Sequence, residues 1–264
     1  LESEGFEITY LEVDRYGKVA LEAVKKAVRD DTILVSIIWG NHELGTINPI
    51  EDIADFCLEN NIFFHTDATQ IIGKLEVSLE NNPGISFLSF SAHKMHGPKG
   101  IGATFIKSDG NGDLIPLTPL MHGGGQEFGL RSGTHAVHNI VGFGEAARIA
   151  KVKLHENIQQ LEQLEEKFKE IFTSKFGKKI KFNSAVSEKI PGIINVQFKG
   201  IFNQILLKEI STILAASTGS ACSATKPSHV LKAVGLSDKE IRESVRFSLS
   251  PYIKLEQLDI LNKL

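Results

Sequence analysis

Short apolar runs alternate with amphipathic segments through the first half of the chain. The run "TILVSII" follows the amphipathic "LEAVKKAVRDD", and "IFFHTD" follows "IEDIADFCLENN". Two more apolar runs, "ISFLSFS" and "IGATFIK", come later. Continuous apolar runs bounded by helices are typical of strands in a parallel sheet that is covered on both faces. The pattern therefore predicts a doubly wound α/β domain with a mostly parallel sheet.

The pattern changes in the second half. A glycine-rich stretch, "HGGGQEFGLRSGTH", leads into a long helical segment from about Val137 to Phe176. Beyond it, short strands such as "GIINVQF" and "SVRFSLS" mix with short helices. We predict a large domain at residues 1–150 and a smaller α+β domain at residues 151–264. Since the chain opens in what reads as the end of a strand, we expect that an amino-terminal segment of the large domain is missing.

Composition narrows the functional classes. The 264 residues are 42% hydrophobic and 23% charged, which is ordinary for a soluble globular protein. A net charge of -3 without a basic run disfavours nucleic-acid binding. No apolar stretch approaches the roughly 20 residues of a membrane-spanning helix, and no signal-peptide pattern opens the chain. We expect a cytoplasmic protein without membrane or nucleic-acid partners.

Lys94 stands at the end of a predicted strand, after "FLSFSAH" and before "MHGPKG". A lysine there is either a solvated charge or a reactive amine, and a reactive amine must be partly desolvated or close to other cations. Ser91, His93 and the backbone of "GPKG" supply the kinds of donor that hold a phosphate group. A lysine beside such donors suits pyridoxal phosphate.

Asp67 follows another predicted strand, "IFFHT". Ligands of doubly wound sheets bind beyond the carboxyl ends of the strands, so we expect Asp67 and Lys94 to line one crevice. A carboxylate there could pair with the ring nitrogen of the cofactor, or it could simply cap a helix or turn. Gln70 could reach the phenolic oxygen of the cofactor, or it could be a surface amide.

The surroundings of three further residues indicate what each could do. Cys222 lies among small residues in "ASTGSACSATKPSHV", which suits either an exposed, mobile nucleophile or a simple loop cysteine. Cys57 lies within apolar periodicity and is predicted to be a core residue. Arg246, in the strand-like "SVRFSLS", could bind a substrate carboxylate or form a structural ion pair.

Other motifs lack the partners that their chemistry requires. His135 and His138 are not accompanied by Cys, Asp or Glu at ligand spacing, so we predict no metal site. The run "HGGG" occurs without the G-x-S-x-G elbow of lipases and esterases. The segment "GPKGIG" lacks the spacing of a P-loop.

Five motifs together resemble the pyridoxal-phosphate-dependent cysteine desulfurases of the class-V aminotransferase superfamily, specifically the group that serves iron–sulfur cluster assembly and thiolation. They are "HTDATQIIGK", "SFSAHKMHGPKGIGA", "MHGGGQEFGLRSGT", "ASTGSACS" and "ESVRFSLS". The resemblance runs nearly end to end. It implies the aspartate-aminotransferase fold, called fold type I, and a homodimer with active sites at the subunit interface.

The resemblance also implies a role for each candidate residue. Lys94 would bind the cofactor covalently, Asp67 would pair with its ring nitrogen and Gln70 would contact its phenolic oxygen. The phosphate would be held by Ser91, His93 and, from the other subunit, Thr134. Arg246 would bind the carboxylate of L-cysteine and Cys222 would take its sulfur. Relatives carry N-N-E where this chain reads "GNHELG", which places His42 near cofactor and substrate.

The implied activity is conversion of L-cysteine to L-alanine, with a persulfide on Cys222 that passes to a sulfur-acceptor protein. Iron–sulfur clusters, tRNA thiolation and sulfur modification of DNA are equally open as destinations. Two alternatives remain at this stage. One is a class-V aminotransferase or selenocysteine lyase, which would not need Cys222 on a mobile loop. The other is a non-catalytic, truncated subunit, because the threonine-bearing phosphate loop and the ring-stacking histidine of relatives would lie upstream of Leu1.

Overall fold

The computed structural model describes residues 1–185, 187–219 and 227–264. These residues form two compact units, which we name by their strands. The β1–β4 unit comprises Thr32–Ile38 and Ile50–Leu154, and the β5–β7 unit comprises Leu1–Asp31, Trp39–Pro49 and His155–Leu264. The described helices are α1 Leu21–Ala27, α2 Ile50–Glu59, α3 Val137–Phe176, α4 Asn203–Ile210, α5 His229–Ala233 and α6 Asp238–Arg242. The described strands are β1 Leu34–Ile38, β2 Phe63–Asp67, β3 Phe87–Ser91, β4 Gly102–Ile106, β5 Ile180–Phe182, β6 Ile193–Phe198 and β7 Ser244–Ser248.

The first unit contains a four-stranded sheet in the order β1-β2-β3-β4. The pairs β1/β2 and β2/β3 are parallel, and β3/β4 is antiparallel. All four strands coincide with the apolar runs read from the sequence. The prediction of an α/β fold with a mostly parallel sheet is therefore confirmed.

Burial alternates along β1 and β2, and in β3 Leu88 is more buried than its neighbours. Phe64 and Leu88 are buried, whereas their neighbours Phe63 and Phe87 on the opposite face are partly exposed. Helix α2 contacts β2, and its Cys57 is completely buried, as expected of a core cysteine. Within the described chain, one face of the sheet is therefore the better covered of the two.

The second unit contains an antiparallel sheet in the order β5-β6-β7. Phenylalanines form much of its core, and Phe168 and Phe172 of α3 stack with ring centroids 4.0 Å apart. Phe172 also meets Phe247 of β7 edge-on at 5.4 Å. Helix α3 thus packs its apolar face onto β6 and β7 of the sheet and stabilises this strand pair.

The predicted boundary at residue 150 stays a prediction. Helix α3 is continuous from Val137 to Phe176, and the two compact units divide at Leu154 within it. The unit that holds the carboxyl-terminal residues also contains Leu1–Asp31 and Trp39–Pro49. In the described part of the chain, no helix is long and apolar enough to cross a membrane.

Candidate active site

The candidate residues fall into two groups, one in each unit. Asp67, Gln70, Ser91, His93, Lys94 and Thr134 belong to the β1–β4 unit, and His42 and Arg246 belong to the β5–β7 unit. Cys222, the predicted nucleophile, lies outside the described residues. Its predicted role stays a prediction.

Asp67 and Ser91 end two adjacent parallel strands. Asp67 is the last residue of β2 and pairs in register with Ser89 of β3, while Ser91 is the last residue of β3. The backbone N–H of Ala68 donates to the Ser89 carbonyl at 2.9 Å, so the strand pairing continues beyond Asp67. One Asp67 oxygen, Oδ1, accepts from the backbone N–H of Thr69 at 2.9 Å. The carboxylate is therefore held at the carboxyl edge of the sheet, as the sequence predicts.

Lys94 lies on a short 3-10 helix, Ala92–Met95, that follows β3 directly. Ala92 and Met95 are buried, whereas His93 and Lys94 are exposed. The N–H of Gly97 closes the turn on the Ala92 carbonyl at 2.9 Å. The buried pair fixes the backbone, so the exposed pair lies on a rigid turn at the same edge as Asp67. The partial burial that the sequence argument required of a reactive lysine is not seen in this unit.

Gln70 and Thr134 have different surroundings. Gln70 is buried, and its side-chain oxygen accepts a hydrogen bond from the Lys74 ammonium. Thr134 is exposed and lies three residues before the start of α3 at Val137. Among the described residues, no hydrogen bond joins Thr134 to Ser91 or Lys94. A phosphate contact from Thr134 therefore stays a prediction that involves a second subunit.

Arg246 lies in the middle of β7, paired with Asn195 of β6 on one side and with Ser217 on the other. Its Nη1 donates to the backbone carbonyl of His42 at 3.1 Å. Its Nε is buried and has no hydrogen-bond partner among the described residues. Burial lowers the pKa of Arg246, and the negative charge of Glu43 partly offsets that effect. An arginine whose Nε–H has no partner among the described residues is suited to bind a carboxylate.

Glu43 was not singled out from the sequence. Its side chain is buried, and Oε2 accepts a hydrogen bond from Ser228 Oγ at 2.6 Å. Oε1 lies 3.7 Å from His42 Nε2. Asn41 shapes the turn, because its Oδ1 accepts from the backbone N–H of Glu43 at 2.8 Å. The sequence "GNHELG" carries no signal of this burial; only the structure shows that the acid is buried and has the partners that a buried acid needs.

The structure thus brings His42 and Arg246 together, but the contact runs through the backbone of His42. The side chain of His42 lies next to Glu43. Its predicted contacts with cofactor and substrate stay predictions. His135, which the sequence analysis assigned to no metal site, lies 2.6 Å from the Glu127 carboxylate. Among the described residues, no group of three or more His, Cys, Asp or Glu side chains could hold a metal ion.

The β1–β4 group suits pyridoxal phosphate chemically. An amine, a carboxylate and hydroxyl and imidazole donors lie on or beside two adjacent strand ends. A carboxylate can hold a proton on a ring nitrogen, and an amine can bond to an aldehyde carbon. His93 and Lys94 are exposed on this turn, which leaves room for a group to bind there. The residues present therefore fit the cofactor that the sequence resemblance implies.

The chain belongs to the class-V aminotransferase family, whose profile matches residues 1–261. This family uses pyridoxal phosphate, so the cofactor and family predictions agree with the comparison. Curated relatives named cysteine desulfurase IscS, from Ruthia magnifica and Pectobacterium carotovorum, are each 41% identical over 261 residues. The resemblance to cysteine desulfurases is thereby confirmed.

Solved structures give the same result. A NifS-like protein is 37% identical and aligns with a TM-score of 0.89 over 99% of this chain and 68% of its own. SspA in complex with cysteine is 39% identical, with a TM-score of 0.77 over 96% of this chain and 69% of its own. The predicted fold type I architecture is confirmed by these similarities. The alignments with the two curated relatives cover 98% of this chain but only 63% of the length of each relative.

Proposed function

We propose that this chain belongs to a pyridoxal-phosphate-dependent cysteine desulfurase that converts L-cysteine to L-alanine and transfers the sulfur to Cys222. The observation that carries the proposal is the placement of Asp67 and Lys94 at the carboxyl edge of adjacent parallel strands. The names of the relatives and the cysteine bound to SspA, at 39% identity, support the substrate.

The residues would divide the work as follows. Lys94 would hold the cofactor covalently, and Ser91 and His93 would bind its phosphate, together with Thr134 of a second subunit. Asp67 would keep a proton on the ring nitrogen, and Gln70 would contact the phenolic oxygen. The bound cofactor supplies an electron sink that makes bonds at the substrate Cα and Cβ easier to break.

Two residues of the β5–β7 unit would take part in substrate binding. Arg246 has a buried Nε without a partner among the described residues, which suits a substrate carboxylate. His42 would lie near cofactor and substrate. Lys94, once released from the cofactor, would take the Cα proton and return it in forming alanine.

The transfer of sulfur to Cys222 needs no added oxidant. The Cys222 thiolate attacks the sulfur of the substrate, the substrate C–S bond breaks and an S–S bond forms. The carbon receives a proton and leaves as L-alanine, and Cys222 carries the persulfide. We propose that a homodimer in the cytoplasm delivers this sulfur to an acceptor protein; iron–sulfur clusters and thiolation are both open as destinations.

Absorption spectroscopy tests the proposal. The chain with added pyridoxal phosphate should show a visible band of lysine-bound cofactor, which Lys94→Ala should lose. L-cysteine should change that band and yield equal amounts of alanine and persulfide. Cys222→Ala should keep the band but release no persulfide.

Two outcomes would contradict the proposal. Alanine or sulfur release that does not depend on Cys222 would favour a lyase or aminotransferase. The absence of a band would favour the non-catalytic subunit, and the same measurement on a chain extended to the length of the relatives would decide between that alternative and a need for further residues.

A further inference from the structure

The imidazole of His65 bridges three strands of the β1–β4 sheet. His65 lies in the middle of β2, and its Nδ1 is 2.8 Å from Ser36 Oγ of β1. Its Nε2 is 3.1 Å from Ser89 Oγ of β3. Both ring nitrogens therefore have a hydroxyl partner on a neighbouring strand.

These hydroxyl partners suit an uncharged ring. A neutral imidazole has one donor and one acceptor nitrogen, and a serine hydroxyl can act as either donor or acceptor. Burial lowers the pKa of His65, and the charge of Asp67 only partly offsets that effect. His65 is consequently neutral near pH 7, and its network is satisfied without a positive charge.

His65 and Asp67 are two residues apart on β2, so their side chains lie on the same face of the sheet. Ser89, which contacts the His65 ring, is the register partner of Asp67. The hydrogen bonds of His65 therefore extend to Ser89, the residue of β3 that lies opposite Asp67. A cation at position 65 would attract that carboxylate and weaken its effect on any other positive group.

We propose that His65 is a positioning residue for Asp67: its hydrogen bonds link the middle of β2 to β1 and β3, and its neutral ring adds no positive charge beside the Asp67 carboxylate. This inference rests on the proposed function, because it concerns the carboxylate that would face the cofactor ring nitrogen. It adds a role for a residue that would not itself touch cofactor or substrate.

Three variants separate the electrostatic from the packing contribution. His65→Gln keeps an uncharged donor and acceptor, His65→Phe fills the space without hydrogen bonds, and His65→Lys introduces a charge. His229→Gln, on the exposed side of α5 in the other unit, is the matched control. Circular dichroism establishes that each variant is folded before it is compared.

The readout is the protonation of the ring nitrogen in ¹⁵N-labelled pyridoxal phosphate bound to the chain, followed by NMR across pH. We expect His65→Lys to lower the pKa of that nitrogen by about one unit, a tenfold weaker hold on the proton. His65→Phe should lower it less, and His65→Gln and His229→Gln should resemble wild type. An unchanged ring-nitrogen pKa in His65→Lys would overturn the proposal.

A second measurement does not depend on cofactor binding. In the chain without cofactor, carboxyl ¹³C NMR follows the titration of Asp67. His65→Lys should increase the acid dissociation constant of Asp67 about tenfold, because a nearby positive charge favours the carboxylate. If Asp67 titrates identically in wild type and His65→Lys, His65 is only a structural residue. If this test succeeds but no cofactor binds, even to a chain extended to the length of the relatives, the proposed function fails and the link between His65 and Asp67 stands.

Discussion

Replacing Glu165 by Gln should destabilise the β5–β7 unit by about 3 kcal/mol, the lower end of the range for breaking a buried ion pair. Both oxygens of Glu165 accept from Lys189 Nζ, at 2.9 and 2.7 Å. The Glu165 side chain is 9% exposed and that of Lys189 is 5% exposed. Glu165 also accepts from the backbone N–H of Gly192 at 2.7 Å, which links α3 to the turn before β6. Since β6 pairs with β7, this ion pair supports the strand that carries Arg246.

The two halves of the pair should not be equally costly to remove. In Glu165→Gln, Lys189 stays buried but faces a neutral amide and the Ile190 carbonyl, 2.9 Å away, instead of a carboxylate. In Lys189→Met, Glu165 keeps the Gly192 N–H and Lys169, whose Nζ is 2.6 Å away. We therefore expect Lys189→Met to cost about 1–2 kcal/mol, closer to the loss of a charged hydrogen bond. The double variant should cost less than the sum, because neither partner then leaves a buried charge behind.

The pH dependence follows from the pKa of Glu165. Burial raises that pKa, but the charge of Lys189 and the hydrogen bonds from Lys169, Lys189 and Gly192 together hold it below its ordinary value. A lowered carboxyl pKa stabilises the folded state above the unfolded-state pKa of about 4.3, and this stabilisation is lost as pH falls through the folded-state value. The difference between wild type and Glu165→Gln should therefore shrink below about pH 4.

Urea unfolding followed by tryptophan fluorescence is the assay. Trp39 is the single tryptophan of the chain and is buried in the β5–β7 unit, so it reports on this unit. Glu22→Gln, which removes the exposed pair with Lys25 in the same unit, is the control and should change the midpoint little. A Glu165→Gln midpoint equal to that of the control, or a larger loss in Lys189→Met, would refute the reasoning.

Three further predictions concern other sites. Burial raises the pKa of the Cys57 thiol to about 11. In a Cys222→Ser background, a thiol reagent at pH 8 should therefore label Cys57 far more slowly in the folded chain than in the chain unfolded by urea. Equal labelling rates would contradict this. In Gly84→Ala, the new Cβ would lie 2.0 Å from a backbone carbonyl oxygen of α2. We expect the free energy of unfolding, measured by urea titration, to fall by at least about 3 kcal/mol. A wild-type midpoint would mean that the helix can move aside. Glu43→Gln removes the negative charge that partly offsets the lowered pKa of Arg246. Phenylglyoxal attacks the neutral guanidine, so it should label Arg246 several-fold faster in this variant, as measured by peptide mass mapping. An unchanged rate would show that Glu43 does not act on Arg246.

Much of the β1–β4 unit could be predicted because its signals are local. Each apolar run became a strand, and the helix between two runs made the parallel connection expected of such sheets. Once two strands are parallel neighbours, residues at their carboxyl ends must share an edge. Asp67 and Lys94 could therefore be placed near each other without any tertiary information.

The β5–β7 unit was less predictable because its important contacts join distant parts of the chain. Glu43 meets Ser228 across 185 positions, and Arg246 meets the His42 carbonyl across 204. No periodicity of a strand or turn indicates such a pair. His65 was also passed over, since a histidine that alternates along a strand has the same pattern whether or not hydroxyls flank it on both sides.

The sequence by itself determined the strand and helix segments, the α/β class, the family resemblance and the candidate residues at the strand ends, because period, turn chemistry and motif spacing are properties of a few consecutive residues. Only the tertiary structure decided that Lys94 is exposed on a turn anchored by Ala92 and Met95, and that Glu43 is a buried carboxylate near Arg246. It also decided that His65 has a partner on each neighbouring strand. Burial and charge pairing depend on which distant segments meet, and that is settled only when the whole chain has packed.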